Sequence, residues 1–265
     1  MLHISRGTAP EPAWLIQMRV IRALILRDIR TRFFGHGAGY LIAIAWPLAH
    51  IGILLAIYAG LGRATPYGNS MVLYFATSLA PTMAFIYASR WIMLSVIGNR
   101  TLLGFPVVKL VDILIARGIL EGLASCCMVL VLLAIMAAAG IDIRPVSSPE
   151  AMKAMAAAIL LGLGLGFING VIAMVYPLWA TAYSLVIIVL YLSSGVLFIP
   201  DGLPEPVRYI VSFNPVLHSI EWIRSAYYGA YVSRTLDKSY LLSFGIGSVF
   251  ISLVAMRLGQ KLLTR

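Results

Sequence analysis

Charge is scarce in this sequence. Only 11% of its 265 residues are Asp, Glu, Lys or Arg, where a water-soluble domain has roughly 25%. That shortage excludes a chain whose whole folded surface faces water. With 61% hydrophobic residues and a mean hydropathy of +0.93, the matching solvent is a lipid bilayer. Cysteine is limited to Cys126 and Cys127, adjacent within an apolar run. Neighbouring side chains diverge around a helix, so these two read as small buried hydrophobes and not as a disulfide or metal pair. HExxH and spaced Cys pairs are missing, so no metal site is expected. No Gly-Lys dipeptide occurs, which excludes a phosphate-binding loop of the form GxxxxGK followed by Ser or Thr. The nearest approach to an intramembrane serine protease signature, Leu192-Ser193-Ser194-Gly195, lacks the leading glycine. No catalytic residue is expected.

What remains is organised by apolar runs. Residues 13–34 place Trp14, Met18, Ile21, Ile25 and Ile29 on one helical face and Arg19, Arg22, Arg27 and Arg30 on another, the pattern of a helix lying in the headgroup region. Arg32 is a misfit on the apolar side. Six crossings are predicted over 40–61, 71–96, 112–139, 151–175, 181–199 and 239–259, making a single all-α transmembrane domain over 1–265. The first apolar run starts near Tyr40, behind an Arg-rich stretch, so no cleavable signal peptide is expected. With the N-terminus in the cytoplasm, the inner connections hold 13 basic and 4 acidic residues, net +9, and the outer ones 7 and 6, net +1. The bias places both termini in the cytoplasm and accounts for the formal charge of +10 without a nucleic-acid partner.

Two connections are unusual. The inner one at 97–112 is too short to span and too apolar for a solvated loop. Its Asn99, Arg100, Thr101, Leu102, Leu103, Phe105 and Val107 form an apolar patch with a basic residue beside it, suited to a soluble protein docking from the cytoplasm. The alternative is a helix resting on headgroups. The outer connection at 200–238 opens with Pro200, Pro204 and Pro206, then carries two short apolar segments around Asn214 and Pro215. These read as a re-entrant or interfacial helix pair before the last crossing.

Within the crossings, Arg117 and Glu121 are spaced for an ion pair. Gly162, Gly166 and Gly170 form a stripe that permits close helix approach, and His50 follows Pro47 by three residues. Aromatics concentrate toward the outer half. Tyr58, Tyr74, Trp222, Tyr227 and Tyr228 are the candidates for a glycan path, because aromatic faces give weak, repeated contacts to sugars; interfacial anchoring is the plain alternative. A secondary carrier would show related halves and buried acids. A membrane enzyme would show convergent nucleophile and base. Neither pattern is visible.

The stretch Leu24-Ile25-Leu26-Arg27-Asp28-Ile29-Arg30-Thr31-Arg32-Phe33 with Gly39-Tyr40-Leu41 and Trp46-Pro47-Leu48-Ala49-His50 resembles the N-terminal part of ABC-2 type permeases that export capsular polysaccharide. Pro106 through Lys109, Asp112, Ile115-Ala116-Arg117 and Glu121 are similar to their inner connection and third crossing. Phe213-Asn214-Pro215-Val216-Leu217-His218-Ser219-Ile220-Glu221 resembles their last outer loop. The resemblance implies a homodimeric pore in the bacterial inner membrane, moving a lipid-linked polysaccharide to the periplasm. It also implies a separate cytoplasmic ATPase subunit that holds ATP and Mg, coupled through Asn99 to Val108, and periplasmic and outer-membrane export partners. O-antigen and teichoic acid exporters are the near alternatives, and a small-molecule ABC-2 exporter a more distant one.

Overall fold

A computed structural model describes residues 12–31, 39–62 and 65–263. The described residues are helical and contain no strand. In chain order they form α1 (Ala13–Thr31), α2 (Gly39–Gly60), α3 (Met71–Gly98), a 3-10 turn (Arg100–Gly104), α4 (Leu110–Ala138), α5 (Ser148–Val175) and α6 (Trp179–Leu192). A second 3-10 turn (Pro200–Gly202), α7 (Glu205–Val211), α8 (Pro215–Tyr227) and α9 (Lys238–Leu263) complete the chain. Arg32 and the rest of 32–34, part of the expected interfacial helix, lie outside the described residues.

Five helices, α2, α3, α4, α5 and α9, are long and apolar enough to cross a bilayer. Their starts follow local chemistry. Ser70 caps α3 by accepting from the Leu73 N–H at 3.2 Å. Asp112 closes the first turn of α4 by accepting from the Lys109 N–H at 2.9 Å. Pro149 enters α5 at its first turn, where no amide donor is needed.

The expected fifth crossing at 181–199 differs. α6 holds only 14 residues, Trp179–Leu192, about 21 Å of helix against a hydrocarbon layer about 30 Å thick. The helix stops because Gly195 takes a left-handed turn at φ 82°, a conformation that suits glycine. Asn214 bridges the break, donating from Nδ2 to the Leu190 carbonyl at 2.7 Å and to Ser193 Oγ at 2.9 Å. The apolar sequence runs on through Phe198 and Ile199, so hydropathy alone extends a helix that the backbone ends.

α3 and α5 form the centre, and α9 packs on the other side of α5. The glycine stripe makes the first contact possible. A Cβ on Gly162 would stand 3.2 Å from Phe85 Cα, and one on Gly166 would stand 3.0 Å from Ser89 Cα. On the opposite face, a Cβ on Gly164 would overlap Ser248 of α9. Buried Leu79, Met83, Phe85 and Leu161 fill the space between these helices.

Candidate functional site

α8 is too short to span but is held at depth by a charged cluster. Asn214 caps it, accepting from the Val216 N–H at 3.0 Å, and Pro215 begins its first turn. On the face turned into the protein, Arg224 and Glu221 pair at 2.9 Å with both side chains fully buried. Arg224 Nη2 also donates to Ser78 Oγ and to the Gly195 carbonyl, each at 2.8 Å. Tyr74 covers the guanidinium, its ring centroid 4.3 Å away. Glu221 accepts from Tyr231 at 2.8 Å and 3.0 Å on its two oxygens, and burial followed by this neighbouring carboxylate raises the Tyr231 phenol above its ordinary pKa. The cluster therefore satisfies a free carbonyl in the broken stretch after α6, the condition for irregular backbone inside a membrane protein.

Three of the five expected path aromatics lie inside the helix bundle. Tyr58 is buried and stacked on Phe75 at 4.2 Å. Tyr74 has no exposed surface. Trp222 is buried and donates to Glu150 on α5 at 2.8 Å, under the Lys238 ammonium of α9 at 4.9 Å. Tyr227 and Tyr228 are half-buried, and Tyr228 meets Tyr67 edge to face at 5.3 Å. Burial raises the Tyr228 phenol to about 12. His218 joins α8 to the start of α9: Nδ1 accepts from the Asp237 N–H at 3.0 Å and Nε2 donates to the Ser212 carbonyl at 2.7 Å. Burial depresses its pKa.

At the opposite end, α1 lies against α4. Arg117 pairs with Glu121 at 2.8 Å, at the predicted spacing, and also with Asp28 of α1 at 3.2 Å. Arg27 Nη1 donates to Asn99 Oδ1 at 2.6 Å, and Gln17 donates to Asp112. These links fix α1 to α4 and to the segment after α3. Within that segment Leu102 and Leu103 turn inward, packing against Leu24, Ile113 and Ala116. Arg100, Thr101, Phe105 and Val107 are exposed, Phe105 by 60% and Val107 by 53%. The exposed apolar pair is thus Phe105 and Val107, not Leu102 and Leu103.

Sequence reasoning missed a groove of about 840 Å³ between α2, α3 and α6, whose walls include Trp46, His50, Tyr87, Arg90 and Tyr191. His50 Nδ1 stands 3.2 Å from the Tyr87 hydroxyl. None of the five path candidates lines it.

Crossing helices, a half-length helix braced by a short buried one, and an exposed apolar turn at one end define a multi-pass membrane protein. The chain belongs to the ABC-2 type transporter family, which matches residues 19–228. It is 28% identical over 246 residues to the polysialic acid transport protein KpsM of Escherichia coli, spanning 93% of this chain and 95% of that one. It is 26% identical over 252 residues to the capsule polysaccharide export inner-membrane protein CtrC of Neisseria meningitidis, spanning 95% and 92%. It is 24% identical over 243 residues to the corresponding protein BexB of Haemophilus influenzae, spanning 91% of each chain.

Proposed function

We propose that two copies of this chain form the inner-membrane pore of an ATP-driven exporter, moving a lipid-linked capsular polysaccharide from cytoplasm to periplasm. The observation that carries this reading is the end-to-end similarity to capsule and polysialic acid export proteins, over 91% or more of the chain. With α6 and the broken stretch through Pro200 together taken as the fifth of six crossings, the charge bias of +9 against +1 supports a cytoplasmic α1 end and cytoplasmic termini.

ATP and Mg belong to a separate subunit, since this chain lacks the loop that cradles phosphates. That ATPase docks on Phe105 and Val107, with Arg100 and Thr101 beside them, while the buried Asn99 and the inward Leu102 and Leu103 hold the turn to α1 and α4. Movement imposed there reaches α1 through Arg27 and Asn99 and α4 through the short turn itself. At the other end α7 and α8 border the exit. The half-buried Tyr227 and Tyr228 offer sugar-compatible faces there, while Tyr58, Tyr74 and Trp222 support the wall behind them. Periplasmic and outer-membrane proteins receive the chain.

The test is complementation of a capsule-producing strain that lacks its own pore subunit, read as surface polysaccharide per assembled complex. Restored export, lost when the partner ATPase is inactivated, supports the reading. An assembled complex that hydrolyses ATP and leaves the polysaccharide in the cytoplasm overturns it.

A further inference from the structure

We infer that the first turn of α6 is a movable flap over the α1 end of the groove between α2, α3 and α6, held shut by Trp179 on Asn169, with Tyr183 as the donor that replaces Trp179 when the flap lifts. The two ends of α6 are held differently. At the α8 end Asn214 reaches the Leu190 carbonyl and Ser193, and Arg224 reaches the Gly195 carbonyl. At the other end the side-chain link to a neighbouring helix is one hydrogen bond, from Trp179 Nε1 to Asn169 Oδ1 of α5 at 2.8 Å. The connection before it, Tyr176, Pro177 and Leu178, is exposed. Within α6 itself the buried residues are Tyr183 and Ile187, so the first turn is covered on its packed face by little more than Trp179 and Ala180.

Tyr183 is the second, independent observation. It is 3% exposed, and its hydroxyl lies beside Ser89 and Asn169 yet makes no hydrogen bond among the described residues. An unpaired buried hydroxyl is costly, and in a folded chain it calls for a reason. Trp179 and Tyr183 stand one turn apart on the same face of α6, packed with Met93 and Ala173. If Trp179 left with nothing to replace it, the buried Asn169 would lose its donor. Tyr183 lies deeper under the helix and takes its place, so release exchanges one donor for another and the two states stay close in free energy. Leu94 belongs both to the groove wall and to the cluster beneath Trp179. Lifting the indole from Leu94 therefore opens the groove at its α1 end.

The flap is a property of the helix and holds whatever the chain carries, so its test measures opening and not export. The full-length chain, with Cys126 and Cys127 replaced by Ala, is reconstituted in vesicles. Ala173, buried on α5 in the cluster beneath Trp179, is replaced by Cys, and the rate at which N-ethylmaleimide labels the A173C thiol reads the lifting of the flap. W179F should speed labelling about fivefold, the effect of losing one hydrogen bond from the closed state. Y183F should slow it about threefold, because the closed state sheds an unpaired hydroxyl and the open state loses its donor. Ordinary packing predicts faster labelling in both variants, so the opposite signs separate the two accounts.

Two further arms fix the partners. In an N169A background Y183F should change nothing, since the residue it would pair with is gone. A154C, buried near the far end of α5, reads opening of the whole bundle and should label at one slow rate in every variant. The flap is overturned by an A173C thiol that no variant labels, by faster labelling with Y183F, by a Y183F effect that persists in N169A, or by equal acceleration at A154C.

Discussion

Arg224 of α8 donates to the Ser78 hydroxyl of α3 at 2.8 Å, joining residues 146 positions apart in sequence. The same guanidinium reaches Glu221 and the Gly195 carbonyl, so one side chain connects α8, α3 and the broken end of α6. Replacing Arg224 by Leu leaves Glu221 buried without its counter-charge, which costs about 3–5 kcal/mol. The expected result is loss of folded protein in detergent, read by size-exclusion chromatography and thermal melting. The double change R224L/E221L recovers part of the loss. A single variant that melts normally shows that the cluster does not hold α8 in place.

Phe105 and Leu103 separate docking from folding. Phe105→Asp alters an exposed residue and leaves the melting temperature nearly unchanged, while co-purification of the partner ATPase drops at least tenfold, as for a central interface residue worth more than about 1.4 kcal/mol. Leu103→Asp instead places a charge among Leu24, Ile113 and Ala116 and lowers folded yield. Full ATPase recovery with Phe105→Asp removes this turn from the interface.

Gly166 tests the helix packing. A Cβ there meets Ile92 Cβ at 2.9 Å and Ser89 Cα at 3.0 Å, and backbone yields less readily than a side-chain tip. Gly166→Val should destabilise by about 1–3 kcal/mol, whereas Gly247→Ala, with nothing within 4 Å, serves as the neutral control. Equal melting temperatures for the two variants contradict the packing.

His218 gives a pH dependence. Burial sets its folded pKa below the unfolded value of about 6.5, so the unfolded state binds the extra proton. Its stabilising contribution is complete above that unfolded value and is lost as pH falls through it toward the folded one. Protonation also removes the Nδ1 lone pair that accepts from Asp237. Protection of the amides at the start of α9, after correction for the intrinsic pH dependence of exchange, should therefore fall between pH 7.5 and 5.5 in the unaltered protein, and much less in His218→Gln. The same loss of protection in both proteins assigns the effect elsewhere.

Much of the fold is legible because the bilayer imposes length and hydropathy together. The crossings at 71–96 and 112–139 differ from α3 and α4 by two residues at most at either end. The amphipathic pattern finds α1, and the spacing of Arg117 and Glu121 finds their pair. Asp28 is not predictable as its third member, because it comes from 89 residues away. The end of α6 is hidden for the same reason: hydropathy cannot show that Asn214 and Arg224 accept the task of closing a helix early. Glu221 and Arg224 stand three apart in a short helix, and that spacing is the signal for the buried pair. Counted as an outer-loop charge, Arg224 looks solvated. Tyr74 and Trp222 mislead in the opposite direction, since an aromatic side chain looks alike in sequence whether it meets a sugar, covers a guanidinium or donates to a carboxylate.

Glu150, at the first turn of α5, accepts from both the Trp222 indole at 2.8 Å and the Lys238 ammonium at 2.6 Å on Oε2, with Lys153 at 2.9 Å from Oε1. A single carboxylate thus couples α5, α8 and α9 like the pin of a three-leaf hinge. Any displacement of α8 or α9 against α5 at this end has either to carry all three helices together or to break that pin first.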